Sequence, residues 1–320
     1  MSLAALLRPS ADHSQVTLSE LPDRPLGRDE VRVDVAYAGI NFWEILQRHG
    51  RVPIGDPAVP GTEGSGRVAD VGDAVTGVSM GDRVAWSKVP GSYAATVTGP
   101  ASAFLRVPDS VDDETAAGLL FQGVTAQYLA TDTWPLGPGD IAVVTAASGG
   151  VGLLLTQLLV DRGAEVVAMV SSETKAAAAT RAGAGKVLTY AGDAGEALRA
   201  AGIGGAAAVF DSVGGTVARS LVGALRPRGA MVLYGAASGE EAGISSNSLG
   251  AGSYFVTRTA GRDYALTPAE HSARANDVLA RAAAGTLSVE VGGSWPLAEV
   301  EQAWDALESR TTTGKLLLKP

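Results

Sequence analysis

The chain has 320 residues, 46% of them apolar and 18% charged, with a formal net charge of −9 and no cysteine. That length exceeds one hydrophobic core and points to two domains, and the acidic balance argues against nucleic-acid binding, which draws on Lys and Arg patches. The missing cysteine excludes disulfides, cysteine nucleophiles and every thiolate metal site.

No apolar run, Val151 to Val160 included, approaches the roughly 20 residues of a spanning helix. The apolar start, Met1 to Arg8, is brief and lacks a basic flank and a cleavage site. It reads as a first strand, and the protein as cytoplasmic with no membrane partner. His13, His49 and His271 are too far apart in sequence to form a metal motif and read as surface residues.

Val31, Val33 and Val35 alternate with Arg32 and Asp34, the period of a half-buried strand. From Pro60, glycines at 61, 64, 66, 72, 77 and 81 space out Val-rich pieces as far as Trp86. Such punctuation predicts a small, strongly bent β-barrel-like domain. The middle third then changes period. Ile141 to Thr145 is a continuous apolar strand, and Leu154, Leu155, Leu158 and Leu159 recur at helical spacing. Val166 to Val170 is the next buried strand, followed by an alanine-rich helix over Thr174 to Ala182. Val187 to Tyr190, Ala208 to Ser212 and Met231 to Tyr234 add three strands. This alternation predicts a doubly wound α/β domain with a parallel sheet. Ser253 to Thr257 reads as a further strand. Pro268 to Ala284 reads as a helix capped by Thr267, Leu297 to Ser309 as another, and Lys315 to Lys319 as the closing strand.

The main chemical signal is Ala146-Ala147-Ser148-Gly149-Gly150-Val151-Gly152, which leaves a buried strand and opens a helix. Gly149 and Gly152 take the second and third glycine positions of a dinucleotide fingerprint, with Ala147 in place of the first. The helix N-terminus offers N–H groups and a positive dipole end to a pyrophosphate. An NAD site would place an acid at the end of the next strand; here stand Ser171, Ser172 and then Lys175. Hydroxyls with one ammonium suit the 2′-phosphate of NADPH. Glu173 points the other way, unless it only complements a helix start.

Gly39-Ile40-Asn41-Phe42, Pro60-Gly61-Thr62-Glu63-Gly64-Ser65-Gly66, Gly81-Asp82-Arg83-Val84 and Gly123-Val124-Thr125-Ala126 follow in that order along the chain. The glycine-rich turn, Phe210-Asp211-Ser212-Val213-Gly214, Tyr254-Phe255-Val256-Thr257-Arg258 and Gly314-Lys315-Leu316-Leu317-Leu318 complete the series. The series resembles the medium-chain dehydrogenases/reductases, in their zinc-free quinone oxidoreductase (zeta-crystallin-like) branch. The resemblance implies a GroES-like β-barrel domain over residues 1–121 and 260–320. A Rossmann domain with a doubly wound parallel sheet over 122–259 would interrupt it. Zinc-dependent relatives have a cysteine near the place of Asn41 and a histidine after the glycine that Gly61 matches; here Thr62 follows it.

By the same resemblance, Asn41 and Thr125 approach the nicotinamide end of NADPH. Ser148, Gly149, Gly150, Val151 and Gly152 hold the pyrophosphate, and Ser171 and Lys175 the 2′-phosphate. Tyr190 flanks the adenine, and Ser212, Tyr234, Gly235, Phe255 and Arg258 line the remaining groove, with Lys315 as a further cofactor residue. Core packing at strand ends is the competing reading of Tyr190, Tyr234 and Phe255. Relatives often carry a tyrosine where this chain has Leu46, and leucine cannot donate a proton.

The expected activity is hydride transfer from NADPH to a quinone without zinc, with Asn41 and Arg258 as the polar contacts to substrate. Reduction of an activated C=C bond in an enone or enoyl thioester, polyketide-type substrates included, is the alternative. A thioester carrier would favour a basic rim, for which Arg48 and Arg51 are the local pair. A non-catalytic NADPH-binding redox sensor is the third reading. A homodimer pairing edge strands near Ser253 to Thr257 is also implied.

Overall fold

The computed structural model describes residues 1–8, 14–190 and 192–320; His13 lies outside them. The chain forms two units, Met1–Gln122 with His271–Pro320, and Gly123–Glu270.

In the first unit β1 (Ser2–Arg8) and β2 (Gln15–Leu21) form an antiparallel hairpin. The long β3 (Glu30–Ile40) runs into the short helix α1 (Phe42–Arg48). β4 (Glu63–Val71), β5 (Arg83–Ser87), β6 (Thr96–Pro100) and β7 (Phe104–Arg106) follow, and α2 (Asp113–Tyr128) leads into the second unit. Of the six predicted corner glycines, Gly61, Gly77 and Gly81 have φ between +86° and +89°. Gly64, Gly66 and Gly72 instead lie where a Cβ would meet neighbouring backbone or the Trp86 ring, so they serve close strand approach.

The second unit alternates as expected: β8 (Ile141–Val144), α3 (Gly150–Asp161), β9 (Glu165–Val170), α4 (Ala176–Arg181), β10 (Lys186–Thr189) and α5 (Ala194–Ala200). β11 (Ala206–Asp211), α6 (Gly215–Leu221), β12 (Leu225–Leu233), α7 (Ser246–Gly250) and β13 (Phe255–Arg258) complete it. The six strands are parallel, in the order β10-β9-β8-β11-β12-β13, so the sequence reverses direction across β8 and β11. β13 is an edge strand, with Phe255 54% and Val256 38% exposed. Helix α4 begins later than its alanine run, because a 3-10 turn occupies Glu173–Lys175.

The chain returns to the first unit within α8 (Pro268–Ala283), at 271 rather than at 260. The intervening turn belongs to the second unit because Tyr264 stacks on Tyr128, with ring centroids 4.4 Å apart. Helix α8 starts as its cap predicts: Glu270 N–H donates to Thr267 Oγ1 at 3.1 Å. β14 (Val291–Pro296), α9 (Val300–Glu308) and β15 (Lys315–Lys319) close the chain. They complete a seven-stranded sheet in the order β14-β15-β3-β4-β5-β7, with β6 on β3.

The first unit has two apolar clusters. One joins Leu7, Ile40, Ile45, Tyr93, Trp304 and Leu318, and the other Val31, Val33, Val84, Trp86 and Phe104. Trp304 is fully buried, and the Arg48 guanidinium lies 5.5 Å from its ring centroid. We expect Trp304→Ala to lower the unfolding free energy by about 3 to 5 kcal/mol through lost burial and a residual cavity. Urea denaturation monitored by circular dichroism measures it.

Candidate active site

Because the strands of the second unit are parallel and in register, their carboxyl ends share one edge of the sheet. Val144 pairs with Ala168 on one side and Phe210 on the other, Asp211 pairs with Leu233, and Leu233 with Arg258. Ligands of doubly wound sheets bind along that edge, at the point where strand order reverses. Here the loop after β8 is the glycine-rich turn. A Cβ on Gly152 would lie 2.5 Å from the Ala146 oxygen and 2.7 Å from the Ala147 Cα, so no larger residue allows the helix to start so close to the strand. Gly150, Val151 and Gly152 open the 12-residue α3, and their N–H groups have no intrahelical acceptor. That cradle suits a pyrophosphate in both shape and charge.

Ser171, Lys175, Tyr190, Ser212, Tyr234 and Gly235 follow the ends of β9, β10, β11 and β12, and Arg258 ends β13. Ser148 is buried in the turn itself. Lys175 is buried rather than solvated, and that burial pushes its ammonium pKa down. Tyr190 packs partly into the core cluster, and burial pushes the Tyr234 phenol well up. Thr125 sits half-buried on α2. Phe255 is not brought to this edge: it begins β13, opposite Ala230, against the Trp134 ring at 5.1 Å. Thr145 and Asp211 were not anticipated. Thr145 Oγ1 donates to Asp211 Oδ1 at 2.7 Å and accepts from Ser212 N–H at 3.1 Å, while Asp211 Oδ2 accepts from Gly214 N–H at 2.7 Å. This latch joins the ends of β8 and β11. Burial pushes the Asp211 carboxyl up, and the Thr145 and backbone bonds partly offset it.

The first unit has its own polar centre, around Asn41. β3 delivers Asn41 to the start of α1, where its N–H donates to Glu44 Oε2 at 2.7 Å. Glu44 so reaches back over its own helix start, as in a capping box. The Asn41 side chain has further partners. Lys315 Nζ donates to Asn41 Oδ1 at 2.8 Å and to Glu63 Oε2 at 2.6 Å, and Asn41 Nδ2 donates to Glu63 Oε2 at 3.1 Å. Phe121 N–H donates to Glu63 Oε1 at 2.6 Å, and Thr62 Oγ1 to Glu44 Oε1 at 3.4 Å. Lys315 is thus sealed inside this unit, with its ammonium on Glu63 and Asn41.

Glu63, Glu44 and Lys315 are almost wholly shielded from solvent. Room for them comes from two glycines. A Cβ on Gly39 would meet Glu63 Oε2 at 2.5 Å, and one on Gly118 would meet the Lys315 Cγ at 2.8 Å. With one ammonium facing two carboxyls, only one carboxylate is compensated. Burial therefore pushes Glu44 up to about 7, with Lys315 and the helix-start N–H groups opposing and Glu63 reinforcing. Glu44 and Glu63 carried no signal in the spacing of the sequence; their meeting is a tertiary event.

The other sequence readings resolve locally. His49 pairs with Glu308 on the surface. His271 is half-buried and bonded to Ser87 Oγ at 3.0 Å, and burial with nearby Lys88 pushes it down to about 4, so it is not a plain surface histidine. Arg48 is committed to Asp305 and Glu308, both at 2.7 Å, and does not offer a free basic rim.

Residues 27–139 match the alcohol dehydrogenase GroES-like domain, and 150–275 the zinc-binding dehydrogenase domain. The quinone oxidoreductase of Pseudomonas aeruginosa is 34% identical over 299 residues, covering 92% of both chains. The chain belongs to the medium-chain dehydrogenase/reductase family, in its quinone oxidoreductase branch. It is an oxidoreductase. The 2-haloacrylate reductase of a Burkholderia species is 32% identical, covering 100% of this chain and 99% of its own. The structure of the Escherichia coli quinone oxidoreductase complexed with NADPH superposes with a TM-score of 0.91 at 30% identity over the full length of both chains.

The Glu44 carboxyl makes a signed prediction. Its pKa is about 7 when folded, against an ordinary 4.5. The native state therefore binds more protons between those values, and stability present below 4.5 is lost as pH rises through 7. Glu44→Gln removes this term. From pH 5 to pH 8 the wild type should lose about 1 to 3 kcal/mol relative to the variant. His271, with the opposite sign between about 4 and 6.5, cancels in that difference. Urea midpoints at the two pH values measure it.

Proposed function

We propose that this oxidoreductase binds NADPH along the carboxyl edge of its parallel sheet and reduces quinones without zinc. The observation that carries the cofactor reading is the Gly152 cradle, where helix start and strand end approach too closely for a Cβ. NADPH, when bound, supplies a hydride; the chain's residues supply orientation. Ser148 and Gly149 to Gly152 hold the pyrophosphate, and Ser171 with Lys175 the 2′-phosphate. Burial pushes the Lys175 ammonium pKa down, a cost that a bound phosphate would offset. Tyr190, Ser212, Tyr234 and Gly235 line the rest of the edge, with Arg258 at its end. Thr125 and Asn41 serve the nicotinamide end and the reacting carbonyl; the NADPH complex of the Escherichia coli relative supports the choice of cofactor.

The zinc-free reading is supported by the sequence, which has no cysteine, and by Thr62 in the place of a ligating histidine. Among the described residues no group of three His, Asp or Glu side chains could hold a metal. Beside Asn41 the fixed positive charge is the Lys315 ammonium. A quinone suits such a site, because its ring stabilises the reduced product and solvent completes the protonation. Reduction of an activated C=C bond is the second reading, favoured by the full-length similarity to 2-haloacrylate reductase. The commitment of Arg48 to α9 weakens the basic rim that a thioester carrier would use, leaving Arg51 of the local pair. Among the described residues no helix is long and apolar enough to cross a membrane. A homodimer through the β13 edge belongs to the same reading, since Phe255 and Val256 are exposed there.

NADPH consumption with 1,4-benzoquinone, 9,10-phenanthrenequinone and an enone tests the activity. Faster turnover of the quinones supports the proposal, preference for the enone replaces it with the second reading, and no consumption with any acceptor leaves the sensor reading. In the same assay Lys175→Ala should weaken NADPH by about 10- to 100-fold and NADH little, as loss of a charge-assisted phosphate contact requires; equal loss of both would remove the 2′-phosphate assignment. Light scattering should give twice the chain mass, falling to one chain mass for Val256→Pro, because proline removes a pairing N–H.

A further inference from the structure

We propose that Lys315 and Glu63 are positioning residues that fix the Asn41 carboxamide as a one-sided hydrogen-bond donor to a carbonyl oxygen. The proposal rests on the reductase reading for what the donor is used for, but not for its geometry.

The argument begins with valence. An ammonium has donors only and a carboxylate acceptors only, so the oxygen of Asn41 must face Lys315 and its nitrogen Glu63. The amide cannot flip without setting oxygen against carboxylate and N–H against ammonium at once. The distances of 2.8 and 3.1 Å are those of that single arrangement. The Asn41 main chain is also engaged: its N–H on Glu44, its carbonyl on Glu44 N–H at 3.2 Å. Gln122 Nε2 takes a further, longer approach to Oδ1 at 3.5 Å. What remains of Asn41 is one Nδ2–H.

That N–H is polarised from behind. Lys315 draws electron density toward Oδ1, and conjugation through the amide makes the nitrogen a stronger donor, as linked hydrogen bonds reinforce one another in a low dielectric. The ammonium itself is sealed from solvent, and the amide is its hydrogen-bonded link to that N–H. Such a donor suits an oxygen that holds or gains negative charge, and does not suit an N–H. Two oxygens in the proposed reaction qualify: the nicotinamide carboxamide oxygen and the carbonyl oxygen of the acceptor. The groups that set the local charge are Lys315 on β15, Glu63 on β4, Glu44 on α1 and the Tyr93 phenol, with Thr62 and Gln122 as neutral neighbours.

The chain has only three asparagines, Asn41, Asn247 and Asn276. Selective 15N-asparagine labelling therefore resolves the Asn41 side-chain protons by NMR. In the wild type the two Nδ2 protons should be widely split, one held by Glu63. Added NADP⁺ alone should move the second downfield if the nicotinamide is its partner. Movement only when a hydroquinone is added to that complex would make the acceptor its partner. No movement of that proton with either would overturn the proposal.

Removing Lys315 alone leaves a buried carboxylate unpaired and endangers folding, so the companion variant is the double Glu63→Gln, Lys315→Met. It should collapse the splitting and lower kcat by about 10- to 100-fold, the range of a weakened oxyanion donor. The KM for the acceptor should move less. Unchanged splitting and kcat in a folded double variant would also overturn the proposal. If the wild type turns over no acceptor, the reductase reading fails, while the splitting still decides whether the pair fixes the amide.

Discussion

In the first unit a lysine ammonium and a glutamate carboxylate meet 2.6 Å apart with no solvent on either side. Taking two charges out of water is costly, and their attraction repays the cost only when every remaining valence is met. That condition explains much of the surrounding architecture. Glu63 needs a second donor and receives it from Phe121 N–H on α2. Lys315 needs a second acceptor and finds the side-chain oxygen of Asn41, the residue that starts α1. Gly39 and Gly118 are small because the pair lies against them. β3, β4, β15, α1 and α2 are consequently tied to one point.

The second unit is organised differently. Its centre is apolar, from Val143 through Val209 and Met231 to Leu233, and its polar groups gather at the carboxyl ends of the strands. Parallel pairing in register puts those ends on one edge without any single ionic contact. The Thr145–Asp211 latch then fixes the two strands between which chain order reverses. One unit thus holds a buried charge centre in which one carboxylate is paired, and the other an edge of helix-start and loop groups.

Legibility from sequence followed the range of the physical signal. Alternation of valines gave away β3, and the 3.6-residue leucine spacing α3, because those periods arise within a few residues. The glycine-rich turn was legible for the same reason, as the collision it avoids lies between Gly152 and the residues at 146 and 147. Helix α4 was placed early, since the 3-10 turn at Glu173–Lys175 depends on how the chain leaves β9 rather than on alanine propensity. Phe255 matched a motif, yet strand register set it at the wrong end of β13 for that edge.

By itself, then, the amino-acid order determined the two-domain division, the parallel sheet, the glycine-rich turn and the exclusion of thiolate chemistry. Each rests on composition or on contacts between near neighbours. Only the tertiary structure decided that Glu44, Glu63 and Lys315 would converge on Asn41, that Lys175 would be buried, and that Arg48 would be taken up by α9. Those outcomes join residues as far apart as 41 and 315, and no local period encodes a meeting of that span. What fixes them is burial: once the strands close, each charge must find a partner or be neutralised, a carboxylate by gaining a proton and an ammonium by losing one.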